Sequence, residues 1–377
     1  MAEASNDREP TRDPHAAPAP LRFQPGFETV PEDEAETERG LTETMLAIQR
    51  KTHADTGHAY RAVHAKAHGY LRATFEVLPD LPTALAQGLF ARPARYDAIL
   101  RFSTTPGDLL DDAVSSPRGA ALKVLGVPGP RLAGSEGETT QNYVLGNSPS
   151  FQVSDARTFL KQLKPMAATT GRAEPVKHAI SILARTAEAA LEMVGGKSGM
   201  LTNLGGQART DLLGDSFFSQ AALLHGDYYA KVALSPVSAE LVALSQRPLD
   251  LAGRPDAIRE AIQAYFRTCP AVWELRVQLG TSLESMPIED AAATWPESES
   301  PYLPVAHITA APQETWPDGL RAAIEDGMAF NPWTGLAAHR PLGSVMRARR
   351  PAYAATRDYR AEGNGAAIAE PTALPAV

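Results

Sequence analysis

Cysteine is almost absent from this chain of 377 residues, which carries Cys269 alone. A single cysteine excludes an internal disulfide framework and a metal site built from several cysteines, and it suits a reducing compartment. The chain also has no uninterrupted apolar run of the ~18–20 residues that a membrane-spanning helix needs. Residues 1–20 lack the cationic start and apolar core of a secretory signal. These absences favour a cytoplasmic protein without a membrane partner.

Positive charge is also in deficit, with 36 Lys and Arg against 44 Asp and Glu and a net charge of −8. We therefore do not expect the whole molecule to bind nucleic acid or an anionic membrane. The composition, 44% hydrophobic and 21% charged, is ordinary for a globular protein. The length allows one large domain or two or three small ones.

The two ends of the chain differ in composition from its middle. Residues 1–24 are rich in proline, alanine, aspartate and arginine and lack hydrophobic periodicity, which predicts a disordered segment. Residues 363–377 have the same character and predict a flexible tail. Because no long linker or internal repeat interrupts the rest, residues 25–362 are predicted to form one domain.

Hydrophobic periodicity predicts an α+β fold. Most of the predicted strands are short segments separated by Pro, Gly or Asp, and they dominate the first two thirds of the chain. They cover residues 73–78, 97–104, 120–127, 141–147, 217–237 and 272–280. Helical spacing predicts helices over residues 40–56, 154–163, 175–194, 254–268 and 343–361. The simplest architecture for this layout is a large antiparallel β-barrel with packed helices.

Two enzyme classes lack their motifs. The chain has no HExxH frame, and among its clustered histidines only His64 and His68 have a spacing that suits adjacent ligands on one helix. That pair runs into a strand, where the two side chains would not converge, so a zinc site is disfavoured. The absence of a G-x-S-x-G elbow likewise disfavours a serine hydrolase.

The segment "RAVHAKAHG" (61–69) crowds two histidines and two cations into nine positions. Histidine titrates nearest to neutral pH, so His64 either handles protons, joins His68 on a metal, or lies on a wet surface. Lys66 and His68 are expected to be solvated neighbours.

A second candidate lies near the C-terminus, where Arg349 and Tyr353 are one helical turn apart. A guanidinium at that distance lowers the pKa of a phenol, and a phenolate is a hard ligand for ferric iron. A tyrosine packed beside a surface arginine is the structural alternative. Pro351 removes a backbone donor inside this helix and is expected to kink or restart it.

Taken in order, these segments resemble the haem catalases. "RAVHAKAHG" resembles the distal motif R-V-V-H-A-K-G-x-G, and "RFSTTPGDLLDDAVSSPRGAALKV" resembles R-F-S-T-V-x-G-E…R-D-P-R-G-F-A-V-K. "NYVLGNSPSFQVSDARTF" resembles the segment that supplies a distal asparagine and phenylalanine, and "RRPAY" fits the R-x-x-x-Y frame of the proximal ligand. The blocks "MPIEDAAATWPE" and "FNPWTGLAAHRPLG" are similar to short bacterial catalase-related peroxidases that lack the C-terminal helical domain.

The resemblance implies a haem b cofactor and a role for each matching residue. Tyr353 would ligate the iron, with Arg349 as its charge partner. His64 would be the distal acid-base, supported by Ser103 and partnered by Asn147. The remaining implied contacts with haem are Arg61, Arg101 and Arg360 at the propionates and Phe151 and Phe159 on the distal side.

The chain departs from the family pattern at several positions. Ala67 replaces the glycine of the distal motif, and the asparagine block is the shorter "GNSP", so Asn147 is assigned by its spacing to Pro149. Pro351 stands two residues before Tyr353. The large catalases' C-terminal domain has no counterpart, so an NADPH site is not expected.

The implied activity is that of a haem-dependent peroxidase in the response to oxidative stress, with weak catalase activity. It would reduce hydrogen peroxide or an organic hydroperoxide through an oxoferryl intermediate, using a small organic reductant. A homo-oligomer is expected. The alternatives are a true small catalase, an enzyme like allene oxide synthase that rearranges hydroperoxides, and a non-catalytic haem-binding protein. The synthase has a threonine immediately before its distal histidine, whereas Val63 precedes His64 here, which disfavours the synthase. The set of His64, Ser103 and Asn147 disfavours a carrier, because a carrier needs no proton-transferring group.

Overall fold

One antiparallel sheet closes on itself in the computed structural model, which describes residues 18–114, 116–169 and 209–375. Its strand order is β5-β4-β3-β2-β1-β9-β8-β7-β6, and a further pairing of β5 with β7 closes eight of these strands into a barrel, leaving β6 at its edge. The strands are β1 (Lys66–Val77), β2 (Arg95–Thr104), β3 (Arg118–Val124), β4 (Gln141–Gly146), β5 (Phe217–Phe218), β6 (Leu223–His225), β7 (Tyr228–Pro236), β8 (Ala271–Leu279) and β9 (Leu303–Ala310).

Six α-helices accompany the barrel within the described residues. They are α1 (Glu34–Thr56), α2 (Ala156–Thr169), α3 (Ala239–Val242), α4 (Ala257–Phe266), α5 (Asp318–Glu325) and α6 (Ser344–Asn364). The predicted α+β barrel with packed helices is confirmed. The helix predicted over 175–194 lies outside the described residues, and none of the helices described is long and apolar enough to cross a membrane.

The barrel is held together by large side chains that point into it. Phe75, Phe102, Phe217 and Trp273 are fully buried in one continuous cluster. Full burial of such a side chain contributes roughly 1.5–3 kcal/mol. The outer face of β1 is covered as well, because Tyr70 packs in a second cluster with residues of α5. Both faces of this strand are therefore apolar, and its alternation is weak.

Helices α1, α2 and α6 pack together beside the barrel. Leu41, Met45 and Ile48 of α1 are buried against Ala348 and Ala352 of α6. The two alanines leave room for the helices to approach closely. Helix α6 continues as one helix through Pro351, so the expected restart at that residue is not seen. This packing fixes α6, and with it Tyr353, against the barrel.

The described part of each terminal segment, residues 18–24 and 363–375, contacts the barrel. The amide of Leu21 donates to the Gly280 carbonyl at 2.8 Å, and Leu21 packs on a buried cluster. At the other end, Glu370 forms an ion pair with the buried Lys123. Single apolar or charged anchors within polar segments produce these contacts, and composition alone does not reveal them.

Two buried imidazoles make the fold sensitive to acid. His225 stacks on Phe90 and donates to the Leu85 carbonyl at 2.8 Å, while His339 accepts from the Leu89 amide at 3.0 Å. Burial lowers the pKa of His225 to about 4, and burial followed by the neighbouring His225 lowers the pKa of His339 to about 3.

We predict that the free energy of unfolding falls as pH drops below about 6.5, because the unfolded chain then binds protons that these neutral imidazoles do not. Each imidazole contributes at most about 1.4 kcal/mol per pH unit until pH reaches its folded-state pKa. In His225→Phe the free energy of unfolding should depend less steeply on pH, by the amount that corresponds to at most one proton. This change in slope is expected whatever the effect of the substitution on stability at neutral pH. Urea unfolding between pH 7.5 and 4.5 measures both slopes, and identical slopes would contradict the prediction.

Candidate active site

A cavity lies between the barrel and the α1–α6 pair. It opens to solvent, and its empty space, counted together with the solvent at its mouth, is about 730 Å³. Residues of β2, β3 and β4, the loop before β1, and helices α1 and α6 line it. Its main polar groups are His64, Ser103, Tyr353, Arg61, Arg101, Arg357 and Arg360. Six of the residues predicted for a site thus meet in one cavity, although they come from distant parts of the chain.

His64 is held in an unusual backbone conformation. Its φ of 57° lies in the left-handed region, which costs roughly 1–3 kcal/mol for a residue other than glycine. Three contacts hold it there. Its Nδ1 lies 3.2 Å from the Ser103 hydroxyl, and its carbonyl accepts a hydrogen bond from Arg101 at 2.9 Å. On the third side the ring lies against Gly119, which has room for it only because a glycine lacks a Cβ. A Cβ at this position would lie 2.6 Å from the imidazole Cε1.

The same surroundings keep His64 uncharged. Burial, followed by the positive charges of Arg101 and Arg349, lowers the pKa of His64 to about 3. The imidazole is therefore neutral at physiological pH and can accept a proton. Because Ser103 occupies Nδ1, the other ring nitrogen, Nε2, is the one left for such a transfer.

Tyr353 reaches the cavity from α6. It is half-buried and lies on the same helical face as Thr356, Arg357 and Arg360, all of which line the cavity. Arg349 lies one turn earlier and is placed differently. Its guanidinium donates to the Met346 sulfur at 3.4 Å and lies over the Phe151 ring at 5.7 Å. The predicted charge partner of Tyr353 is thus near the site but outside the lining of the cavity.

The arginines converge on a carboxylate that the sequence did not indicate. Glu325, the last residue of α5, accepts hydrogen bonds from Arg101 Nε at 2.6 Å and from the Tyr70 hydroxyl at 2.8 Å. It also forms an ion pair with Arg61, and its backbone carbonyl accepts from Arg360. Burial by itself would raise the pKa of Glu325, but Arg101 and Arg61 outweigh burial and lower that pKa to about 2.

Positive charge remains in excess in this cluster. Three guanidiniums, those of Arg61, Arg101 and Arg360, lie around the one carboxylate of Glu325, so these four groups have a net charge of +2. The Asp326 carboxylate nearby also attracts Arg61 and Arg360. Burial, and then the charge of Arg61, lowers the pKa of Arg360 to about 9. Buried charge without a partner is costly. An anion bound beside the cluster would lower that cost.

Three other predicted site residues lie outside the cavity lining. The Asn147 amide nitrogen donates to Asp215 at 3.4 Å, and its oxygen accepts from the Arg118 amide at 3.1 Å. Phe151 and Phe159 pack edge to face at 5.1 Å beside the cavity. Asn147 thus takes part in the turn chemistry that is usual for an asparagine at the end of a strand.

The neighbours of His64 are not solvated, in contrast to our expectation. Lys66 is buried and lies 2.8 Å from the Asp112 carboxylate. His68 is fully buried, with Nε2 at 3.0 Å from the Thr104 hydroxyl. A bulge between Ala67 and Gly69 changes the register of β1, so alternation along the strand does not place these side chains correctly.

We predict that pyrophosphate raises the thermal unfolding midpoint of the protein above that in chloride of equal ionic strength. The excess positive charge should bind it, and a bound ligand at a hundred times its Kd contributes about 2.7 kcal/mol. Arg360→Met should lose most of this increase. Arg321→Met removes an exposed charge from α5 and should retain the increase. An equal response of the two variants would refute the anion site.

Comparison with known proteins supports the fold alone. No protein-family model matches the chain, and no curated protein matches it. Among solved structures, catalase A from Saccharomyces cerevisiae superposes with a TM-score of 0.56 at 18% identity, over 81% of this chain and 62% of that one. A fungal catalase gives 0.58 at 18% identity, covering 96% and 69%, and a bacterial catalase gives 0.55 at 17%, covering 96% and 67%. The chain thus spans about two thirds of these catalases and has a catalase-like fold.

Proposed function

We propose that this protein is a haem-dependent peroxidase that reduces hydrogen peroxide or organic hydroperoxides. The observation that carries the proposal is one cavity that combines a neutral His64, the Tyr353 phenol and an arginine cluster with two excess positive charges. The catalase-like fold supports an oxidoreductase of this general type.

The chemistry of the cavity fits haem b. Together, Arg61, Arg101 and Arg360 carry two positive charges more than Glu325 neutralises, and the two negative charges of the haem propionates would balance them. Tyr353 offers an oxygen ligand of the kind that holds the haem iron of catalase. The rest of the lining is largely apolar, as the faces of a porphyrin ring require.

Each residue would have a separate task. Haem, when bound, would supply the redox chemistry, with Tyr353 as its iron ligand. Nε2 of His64 would take a proton from the hydroperoxide and return it to the departing oxygen, which leaves as water or an alcohol. Ser103 would hold the imidazole through Nδ1. Asn147 lies outside the cavity lining, so we assign the proton transfer to His64 with Ser103.

The opening of the cavity favours peroxidase over catalase activity. The cavity opens to solvent, and Arg357, one of its lining residues, is exposed. An organic donor could enter by such an opening and deliver electrons, whereas a narrow channel would admit little besides hydrogen peroxide. We therefore propose that a small organic molecule is the main reductant and that oxygen release is the minor reaction.

The ligand assignment predicts that Tyr353→Phe loses haem or changes its ferric absorption spectrum, because phenylalanine offers no oxygen to the iron. Tyr359→Phe is the matched control on the same helix. Its hydroxyl lies 2.9 Å from His53 Nδ1, away from the cavity lining, so haem binding should be retained. Titration of haem into the two variants, followed by absorption, is the measurement. An unaltered spectrum in Tyr353→Phe would show that the ligand is another residue.

The reductant assignment predicts that donor oxidation exceeds oxygen release when hydrogen peroxide and an aromatic donor are supplied together. An oxygen electrode and the absorbance of the oxidised donor report the two reactions in one vessel. His64→Ala should slow both by roughly 10²–10⁴-fold, the usual contribution of a proton-transferring residue. Rapid oxygen release that no donor suppresses would instead identify a small catalase.

A further inference from the structure

Three side chains from distant segments meet at the carboxylate of Glu325. Oε1 accepts from Arg101 Nε at 2.6 Å and from the Tyr70 hydroxyl at 2.8 Å. Oε2 accepts from Arg61 and, at 3.3 Å, from the second nitrogen of Arg101. Four donor groups saturate one carboxylate, which is the most that its lone pairs accept. Each of these bonds is charge-assisted and therefore stronger than a neutral one.

The end of α5 adds backbone acceptors around the same carboxylate. Arg61 donates to the Ile324 carbonyl at 2.9 Å and to the Met328 carbonyl at 3.2 Å. Arg360 donates to the Glu325 carbonyl and, at 2.8 Å, to the Met328 carbonyl. A helix C-terminus has unpaired carbonyls and partial negative charge, which favour cations there. The helix end thus sets the spacing of the two arginines.

The same carboxylate is connected to His64 through one arginine. The guanidinium of Arg101 bonds Glu325 on one side and the His64 carbonyl, at 2.9 Å, on the other. His64 needs such support because its φ of 57° is unfavourable. Arg61, three residues before His64, is fixed by Glu325 as well. The loop that carries the imidazole is therefore attached to α5 at two points.

Tyr70 keeps the carboxylate in place from the barrel side. Its ring stacks on Trp316 with 4.9 Å between ring centres, and it is fully buried. Burial, followed by the charge of Glu325, raises the pKa of Tyr70 well above its usual range, so its hydroxyl remains a donor. The position of Glu325 is thus set by β1 as well as by its own helix.

We propose that Glu325 is the positioning residue of this site. Through Arg101 and Arg61 it holds His64 in its reactive place, and it neutralises only one of the three arginine charges, so that two positive charges remain for the ligand. The proposal rests on the proposed function for the identity of that ligand, a porphyrin with two carboxylates. The attachment of the His64 loop is independent of the proposed function, because it can be measured in the ligand-free protein.

The test is hydrogen–deuterium exchange of the ligand-free protein, comparing segment 61–66 with strand β3 as an internal reference. Glu325→Gln keeps the size of the side chain but removes its charge and one acceptor oxygen. Exchange in 61–66 should rise about tenfold, the effect of a lost charge-assisted hydrogen bond on local opening, with β3 unchanged. Glu325→Asp keeps the charge and should recover part of the protection. Asp318→Asn removes an exposed carboxylate from α5 and should change neither segment.

Two results would overturn the proposal. One is unchanged exchange in 61–66, and the other is an equal rise in 61–66 and β3, which would mean that Glu325 stabilises only the fold as a whole. If Glu325→Gln does not fold, Glu325→Asp alone decides, because its shorter side chain should still loosen 61–66 relative to β3.

A separate titration keeps this test distinct from that of the proposed function. Wild-type protein is titrated with iron protoporphyrin and with its dimethyl ester, which lacks both carboxylate charges. Tighter binding of the free acid supports the arginine cluster as its partner. If neither porphyrin binds, the proposed function fails, while the exchange data still decide the role of Glu325.

Discussion

The site depends on the burial of more positive charge than the protein neutralises. Arg61, Arg101 and Arg360 come from a loop, a strand and a helix, and they meet only when the barrel has closed and α6 has packed beside it. Like charges at close range oppose that arrangement, so Glu325 and the carbonyls at the end of α5 are needed to hold it. The excess positive charge that would let the cavity bind an anion therefore also lowers the stability of the fold.

Much of the architecture could be predicted because its signals are local. Four early strands and the helix that carries Tyr353 stand out through residue pattern, and the order of short motifs assigns His64, Ser103 and the three arginines to one site. Glu325 could not be found in this way. It ends a helix of only eight residues, it belongs to no quoted motif, and its importance arises from partners up to 264 positions away in the chain.

The alternation of polar and apolar residues did not predict which side chains are buried where both faces of a strand are covered. In β1 the interior receives Phe75 while the outer face packs Tyr70 against α5, so few positions are left to be polar. A bulge at Ala67 and Gly69 then directs Lys66 and His68 into buried surroundings, although their residue types suggest a surface. Charged residues in a covered strand require partners such as Asp112, and sequence spacing does not identify those partners.

Gly119 shows how a position without any functional group can decide the chemistry of a cavity. The imidazole of His64 occupies the space in which every other amino acid would place its Cβ, and the Leu145 carbonyl lies only 3.2 Å from that point on another side. A methyl group there would have to displace the ring from Ser103. In a comparison of sequence variants, an alanine at position 119 would therefore mark loss of the proton-handling geometry even where every reactive side chain is retained.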